Sequence, residues 1–247
     1  MPELAIDRLS KSFDGKMVLK DVTFHIEPDE FVSILGPSGS GKSTLFHLIG
    51  GISQPDEGEI SLDGERINGK KGSISYMPQS PALFPWRTIL QNVLLGAEIA
   101  GKKDLPAAVA MLEKAGLKEY ESAYPHQLSG GMQQRAAFIR SLLSPQPLIC
   151  LDEPFSALDE FTRSEMQQWL LSIWMEHRRS ILFITHNIEE ALFLSDRIII
   201  LSDKPANVKA EFDIPFPRPR DESIVLTEEF LTYKKAVYNE LKADSGA

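Results

Sequence analysis

Residues Gly36-Pro37-Ser38-Gly39-Ser40-Gly41-Lys42-Ser43-Thr44 fit the spacing GxxxxGKS/T, with the apolar run Phe31 to Leu35 entering them and Ser43 to Ile49 reading as a helix behind them. A phosphate-binding loop requires that strand–loop–helix order. The glycines permit a tight backbone path, successive amides aim at phosphate oxygens, and the following helix presents its positive end. Lys42 can reach terminal phosphates and the Ser43 hydroxyl can ligate magnesium. Taken alone, the loop implies binding of ATP or GTP.

Downstream, Leu148-Ile149-Cys150-Leu151-Asp152-Glu153 places adjacent carboxylates after an apolar strand. Asp152 suits magnesium coordination, directly or through water. Glu153, one position on, can polarise an attacking water. Together with Lys42 the pattern points to in-line transfer of a terminal phosphoryl group to water. His186 follows the strand Ser180 to Ile184 and can reach the terminal phosphate or the water. His25, His47, His126 and His177 lack such a context, and the five histidines form no zinc spacing. The metal expected is Mg²⁺ carried in with nucleotide.

With 247 residues, 43% of them hydrophobic, the chain can bury a substantial core and reads most simply as one domain. Its formal charge of −9 gives no support to a broad nucleic-acid surface. Cys150 is the only cysteine, so an intrachain disulfide and a cysteine metal cluster are both excluded, and its apolar run makes it a small buried strand residue. The N-terminus lacks a secretion-signal pattern. No apolar run approaches the ~20 residues that cross a bilayer. Any membrane association must come through a partner or surface docking.

Leu4 to Leu9, Val22 to Ile26, Glu59 to Leu62 and Ser73 to Tyr76 read as further strands, separated by turn pairs such as Asp14-Gly15 and Asp63-Gly64. A helical stretch runs from Thr88 to about Leu143, broken at Gly101, Gly116 and Pro125, and suggests a helical subdomain inserted at about 88–144. From Phe161 to His177, Met166, Trp169, Leu170, Ile173 and Trp174 recur at helical spacing and predict a packed face. Beyond the strand Arg197 to Leu201, the prolines of Phe212 to Arg220 suggest an extended surface arm before a helix at Glu228 to Leu241. The whole reads as a single domain over 1–247 with a C-terminal arm at 202–247.

The segment Leu128-Ser129-Gly130-Gly131-Met132-Gln133 narrows the reading. With it, the chain resembles an ATP-binding-cassette (ABC) ATPase over nearly its full length, in the motif order Phe13, Gly36 to Thr44, Gln79, Ser129 to Gln133, Asp152-Glu153, Ser156 to Asp159 and His186. The resemblance implies an α/β fold, a phosphate-loop core carrying an antiparallel β subdomain and an inserted helical subdomain. It implies that Phe13 stacks on adenine, that Gln79 links the magnesium and water site to a transporter interface, that Glu153 is the general base, and that His186 is a switch histidine. Ser156-Ala157-Leu158-Asp159 matches the loop coupling opposed sites. A second ATPase subunit would pair head to tail, with ATP held between Gly36 to Thr44 of one and Ser129, Gly130, Gly131 and Gln133 of the other. Magnesium would be held by Ser43, Gln79 and Asp152.

Pro81 to Val93 resembles the segment of bacterial importers that receives a permease helix, with Leu83, Phe84, Pro85 and Trp86 offering apolar contact and Arg87 charge. This segment, Lys204-Pro205-Ala206 and Pro217-Arg218-Pro219-Arg220 look most like ATPases of the nitrate, sulfonate and taurine importer group, which also includes importers of thiamine-precursor pyrimidines. The resemblance implies a transmembrane permease, an extracytoplasmic solute-binding protein, and a place on the cytoplasmic face of the membrane, with no direct nucleic-acid partner. Two alternatives stay open from sequence: a soluble ATP-dependent switch acting on nucleic acid or a protein complex, and the ATPase of an exporter. Lys42→Ala is expected to weaken nucleotide binding by removing a phosphate-directed charge, as read by titration with ATP.

Overall fold

The computed structural model describes residues 3–156 and 158–242. Ala157, within the expected coupling loop, and residues 1–2 and 243–247, at the ends of the expected domain, lie outside the described residues.

Strands β1 (Leu4–Phe13) and β2 (Lys16–Ile26) form an antiparallel hairpin. Asp14 and Gly15 turn it with φ of 49° and 74°, the left-handed conformation that two-residue hairpin turns favour. The chain then crosses to a second sheet through β3 (Phe31–Leu35) and helix α1 (Lys42–Ile49), and returns with β4 (Glu57–Leu62) and β5 (Glu65–Arg66). The first sheet has the order β2-β1-β4-β5.

The second sheet is completed by β6 (Ser75–Met77), β7 (Leu148–Asp152), β8 (Ser180–Ile184), β9 (Arg197–Leu201) and β10 (Val208–Asp213), in the order β10-β9-β3-β8-β7-β6. All pairs are parallel except β10 with β9. Strands β3, β7, β8 and β9 are buried at every position, as parallel strands covered on both faces must be. Alternate residues serve opposite faces. Ile149, Leu151, Ile181 and Phe183 join the cluster shared with the helices, whereas Leu148, Cys150, Leu182 and Ile184 face α1 and the antiparallel sheet.

Between β6 and β7 lie α2 (Ile89–Val93), α3 (Leu95–Ile99), α4 (Leu105–Lys114) and α5 (Gly130–Leu142). Their starts are written locally: Thr88 and Gln91 form a capping box, Asp104 caps α4 through the Ala107 amide, and Ser129 caps α5 through the Met132 amide. Gly101 and Gly116 break the run with φ of 67° and 71°. After β7 come α6 (Glu160–His177), α7 (Ile188–Leu194) and α8 (Glu228–Lys242). In α6 the buried face is Met166, Leu170, Leu171, Ile173 and Trp174, with Trp169 partly buried beside it.

The expected surface arm is a correction. Its first residues belong to β10, and although Pro215, Pro217 and Pro219 are exposed, Ile214, Phe216 and Arg220 between and beyond them are buried. The reason lies in the arginines. Arg220 donates to the carbonyls of Leu192, Phe193 and Ser195 at the C-terminal end of α7, and Arg218 pairs with Asp196 while stacking 4.3 Å over Trp174. Carbonyls left unpaired by the helix end satisfy a guanidinium that would otherwise be costly to bury.

Trp174 links several of these layers: it meets Phe31 edge to face at 5.7 Å and its Nε1 donates to the Arg179 carbonyl at 2.6 Å. Trp174→Ala is expected to lower stability by about 3–5 kcal/mol, measured by denaturant unfolding. A loss under about 1 kcal/mol would remove it from the structural centre of the fold.

Candidate functional site

The carboxyl ends of β3, β8 and β7 finish side by side. Ile34 pairs with Ile184, and Ile184 with Asp152, so the next residues on each strand emerge at one edge. The Glu153 amide donates to the Ile184 carbonyl at 3.0 Å and the Thr185 amide to the Ile34 carbonyl at 3.4 Å, which extends the alignment one step past the strands. Loops beyond aligned parallel strands are the usual ligand-binding place in such sheets.

From β3 emerges the glycine-rich loop. Gly41 has φ 109°, and a Cβ there would come within 2.9 Å of both Leu19 and Val18, so only glycine fits without displacement. No side chain caps α1, which leaves its first-turn amides open to an anion. Lys42 folds back so that Nζ donates to the carbonyls of Gly36 and Pro37 at 2.8 and 2.9 Å. Burial lowers its pKa, with Glu153 and Asp152 opposing that shift. The Ser40 hydroxyl is buried without a hydrogen-bond partner among the described residues. An ammonium held by carbonyls, an unpaired hydroxyl and uncapped amides suit a triphosphate.

From β7 emerge Asp152 and Glu153. Tyr76 Oη donates to Asp152 Oδ2 at 3.2 Å, and burial raises the Asp152 pKa against hydrogen bonds from Tyr76 and Ser43. A carboxylate taken out of water beside the Ser43 hydroxyl is a fitting oxygen donor set for Mg²⁺. Glu153 sits in the left-handed region at φ 44°. Around its carboxylate, Gln79 Nε2 lies at 3.4 Å and His186 Nδ1 at 3.3 Å. Gln79 also donates to Ser156 Oγ at 3.1 Å, and Ser156 Oγ to the Glu153 carbonyl at 3.0 Å. Gln79, Glu153 and Ser156 thus form one hydrogen-bonded group, with His186 at ion-pair distance from the Glu153 carboxylate.

Among the described residues, Ser129 to Gln133 makes no hydrogen bond or ion pair to this group. Ser129 caps α5, Gln133 Nε2 donates to the Leu128 carbonyl at 3.1 Å, and a Cβ on Gly131 would meet Thr162 of α6 at 2.8 Å. No hydrogen bond or ion pair among the described residues joins this segment to Gly36 to Thr44. Asp159 caps α6 through the Thr162 amide. Phe13 ends β1 with 46% of its surface exposed, an available ring rather than a core aromatic. Lys11 Nζ lies 5.4 Å from its centroid, and Asp56 accepts from both Lys11 and the Ser12 amide.

Leu83 to Arg87 forms a separate surface. Phe84 and Trp86 stack at 5.0 Å, and Trp86 is 69% exposed. Fully buried Asn92 braces the turn, accepting from the Phe84 amide and donating to the carbonyls of Phe84, Arg87 and Thr88. Arg140 donates to the carbonyls of Pro81 and Ala82.

Sequence reasoning missed Tyr76, Gln134 and Arg140 as supports of the site. Tyr76 faces Asp152 because β6 lies beside β7, and Gln134 reaches the Gln79 carbonyl at 3.3 Å because α5 packs against β6. Neither carries a local motif. The signal for them is tertiary.

The ABC transporter family model matches residues 19–156. An aliphatic sulfonates import ATP-binding protein of Bacillus cereus is 37% identical over 243 residues, covering 97% of this chain and 96% of the relative. A nitrate import ATP-binding protein of Synechocystis is 42% identical over 221 residues, covering 87% and 83%. Among solved structures, a dimeric post-hydrolysis state of an ATP-binding cassette bound to ADP and Pi superposes with a TM-score of 0.73 at 30% identity, covering 87% of this chain and all of that one. The α/β core, its antiparallel sheet and its helical subdomain agree with that fold, and the chain belongs to the ABC transporter family as an ATP-hydrolysing cassette.

Proposed function

We propose that this chain drives solute import through a separate membrane permease by Mg²⁺-dependent hydrolysis of ATP. The observation that carries the hydrolytic part is the group at the end of β7, where Gln79 and His186 both approach the Glu153 carboxylate. In this reading Phe13 stacks on adenine, the amides from Gly36 to Thr44 and Lys42 hold the phosphates, and Glu153 takes the proton of the attacking water. His186 and Gln79 hold that water and carboxylate in line with the phosphorus. Ser43, Asp152 and Gln79 would hold magnesium, which when bound supplies positive charge against the phosphate oxygens.

Two copies would assemble head to tail. In this arrangement the serine hydroxyl and the start of α5, which make no hydrogen bond to the phosphate loop of their own chain among the described residues, serve the ATP of the partner subunit. The dimeric state of the similar cassette supports this pairing. Asp159, which caps α6 from the coupling loop, would face that shared nucleotide.

For coupling, the stacked Phe84 and Trp86 offer an exposed apolar contact to a permease helix, with Gln79 a short way up the chain joining that contact to the water site. No helix among the described residues is long and apolar enough to cross a membrane, and the proposed position is peripheral, on the cytoplasmic face. An extracytoplasmic solute-binding protein would complete the system. Relatives named for aliphatic sulfonates and for nitrate support a small cargo. We place nitrate, sulfonates, taurine and thiamine-precursor pyrimidines as the cargo class. The cassette touches the permease rather than the cargo, so cargo choice resides in the partners.

Glu153→Gln is expected to keep ATP bound and accumulate a closed dimer while slowing hydrolysis about 100-fold or more. Size-exclusion chromatography with ATP and a phosphate-release assay measure both, and an unaltered rate at saturating ATP would remove Glu153 from the base role. Trp86→Ala is expected to weaken assembly with the permease about tenfold or more, as an exposed aromatic anchor should. Co-purification from membranes reads this outcome, and full assembly of the variant would dismiss the docking surface.

A further inference from the structure

Glu190 is a buried acid that none of the roles above uses. It sits in the first turn of α7, 6% exposed, and its carboxylate accepts the Thr185 hydroxyl at 2.5 Å. That same hydroxyl accepts the Asn187 amide at 3.0 Å, and Asn187 Oδ1 caps the amides of Glu189 and Glu190. The residues on either side of His186 are therefore both tied, directly or through one atom, to Glu190. Burial pushes the Glu190 pKa up, while Thr185, Arg163, His186 and Gln167 act against that shift.

Arg163, from the first turn of α6, faces Glu190. Its Nη2 donates to the Leu158 carbonyl at 2.9 Å, inside the loop that follows Glu153. Its Nε is buried, has no hydrogen-bond partner among the described residues, and lies 3.7 Å from Glu190 Oε1. Ion-pair attraction is present at that separation, but the hydrogen bond is not made. A relative movement of α6 and α7 of about 1 Å brings the two atoms within normal hydrogen-bond distance. The far end of α7 is meanwhile fixed by Arg220 through the carbonyls of Leu192, Phe193 and Ser195. The adjustable contact is thus the one between Arg163 and Glu190.

We propose that Glu190 and Arg163 are positioning residues for His186, forming a link through which the loop around Leu158 sets the turn Thr185-His186-Asn187. This rests on the reading of His186 as a participant in hydrolysis. When the Arg163–Glu190 contact tightens, Thr185 and Asn187 are held and His186 is fixed beside Glu153. When it slackens, Glu190 is held less firmly against Thr185 and the turn that carries His186 loosens, while its backbone bond to Ile34 and the phosphate loop are untouched. The link therefore acts on the hydrolytic rate and spares nucleotide affinity.

The test is single-turnover hydrolysis by the full chain, with enzyme in excess over labelled ATP so that slow variants remain measurable, alongside titration of nucleotide affinity. Glu190→Gln keeps the shape and an acceptor for Thr185 but removes the charge facing Arg163; Arg163→Gln removes the other partner and gives an independent reading if either variant folds poorly. Each is expected to slow hydrolysis about tenfold with affinity altered less than about twofold, and the double variant should be no slower than the slower single one. In a His186→Ala background, Glu190→Gln should add less than about a twofold loss. A normal rate for Glu190→Gln, an equal loss with and without His186, or an affinity loss as large as the rate loss would each overturn the proposal. If His186→Ala alone hydrolyses at the normal rate, the reading of His186 itself fails. If it is slow but the Glu190 effect adds in full, only the link fails.

Discussion

Backbone pairing across β7, β8 and β3 sets Asp152, Ile184 and Ile34 in one row, and the phosphate loop, the acidic pair and His186 are placed by that row. Because the pairing is parallel, the strands all end on the same edge, and the loops leaving them must share a small volume. The phosphate loop, the Asp152-Glu153 pair and the turn with His186 are those loops. Hydrogen bonds from Glu153 to Ile184 and from Thr185 to Ile34 carry the alignment past the last ladder residues. A slip of one residue in this register would turn every strand side chain to the opposite face and separate Glu153 from His186.

The core is arranged to hold that register. Strands buried on both faces keep one set of side chains for the helices and the other for α1 and the antiparallel sheet. Around the rim, arginines act as staples to backbone carbonyls: Arg140 to the turn before α2, Arg179 to the carbonyls of Leu142 and Ser144 before β7, and Arg220 to the end of α7. A guanidinium with several fixed donors suits this work, since it satisfies carbonyls that loops and helix ends leave unpaired. Burial lowers the pKa of Arg220 to about 10, still high enough for it to stay charged at neutral pH.

The site and the proposed docking surface are connected through short routes. Gln79 leaves β6, touches Glu153 and Ser156, and is held at its carbonyl by Gln134 of α5, the helix whose start carries Ser129 to Gln133. A few residues on, the chain displays Phe84 and Trp86. Movement of the helical region relative to the sheet would thus act on Gln79 through its carbonyl while its side chain is held at Glu153 and Ser156. A hinge at such a point can connect surface contact to hydrolytic geometry without a long chain of intermediates.

By itself the sequence determined the local parts: the loop Gly36 to Thr44, the apolar strand before Asp152-Glu153, the turn at Asp14-Gly15 and the buried place of Cys150. These depend on neighbours a few residues away, on strand alternation and on backbone freedom at glycine, all of which a linear string displays. Only the tertiary structure decided that Tyr76 bonds Asp152, that Arg163 lies 3.7 Å from Glu190, and that within the proline-rich stretch Ile214, Phe216 and Arg220 are buried while Pro215, Pro217 and Pro219 stay exposed. In the last case the burial of Arg220 came from its guanidinium meeting the carbonyls at the end of a helix distant in sequence. Such contacts arise from strand order and helix packing, and polar side chains like Arg220 enter the interior only when partners from elsewhere in the chain satisfy them.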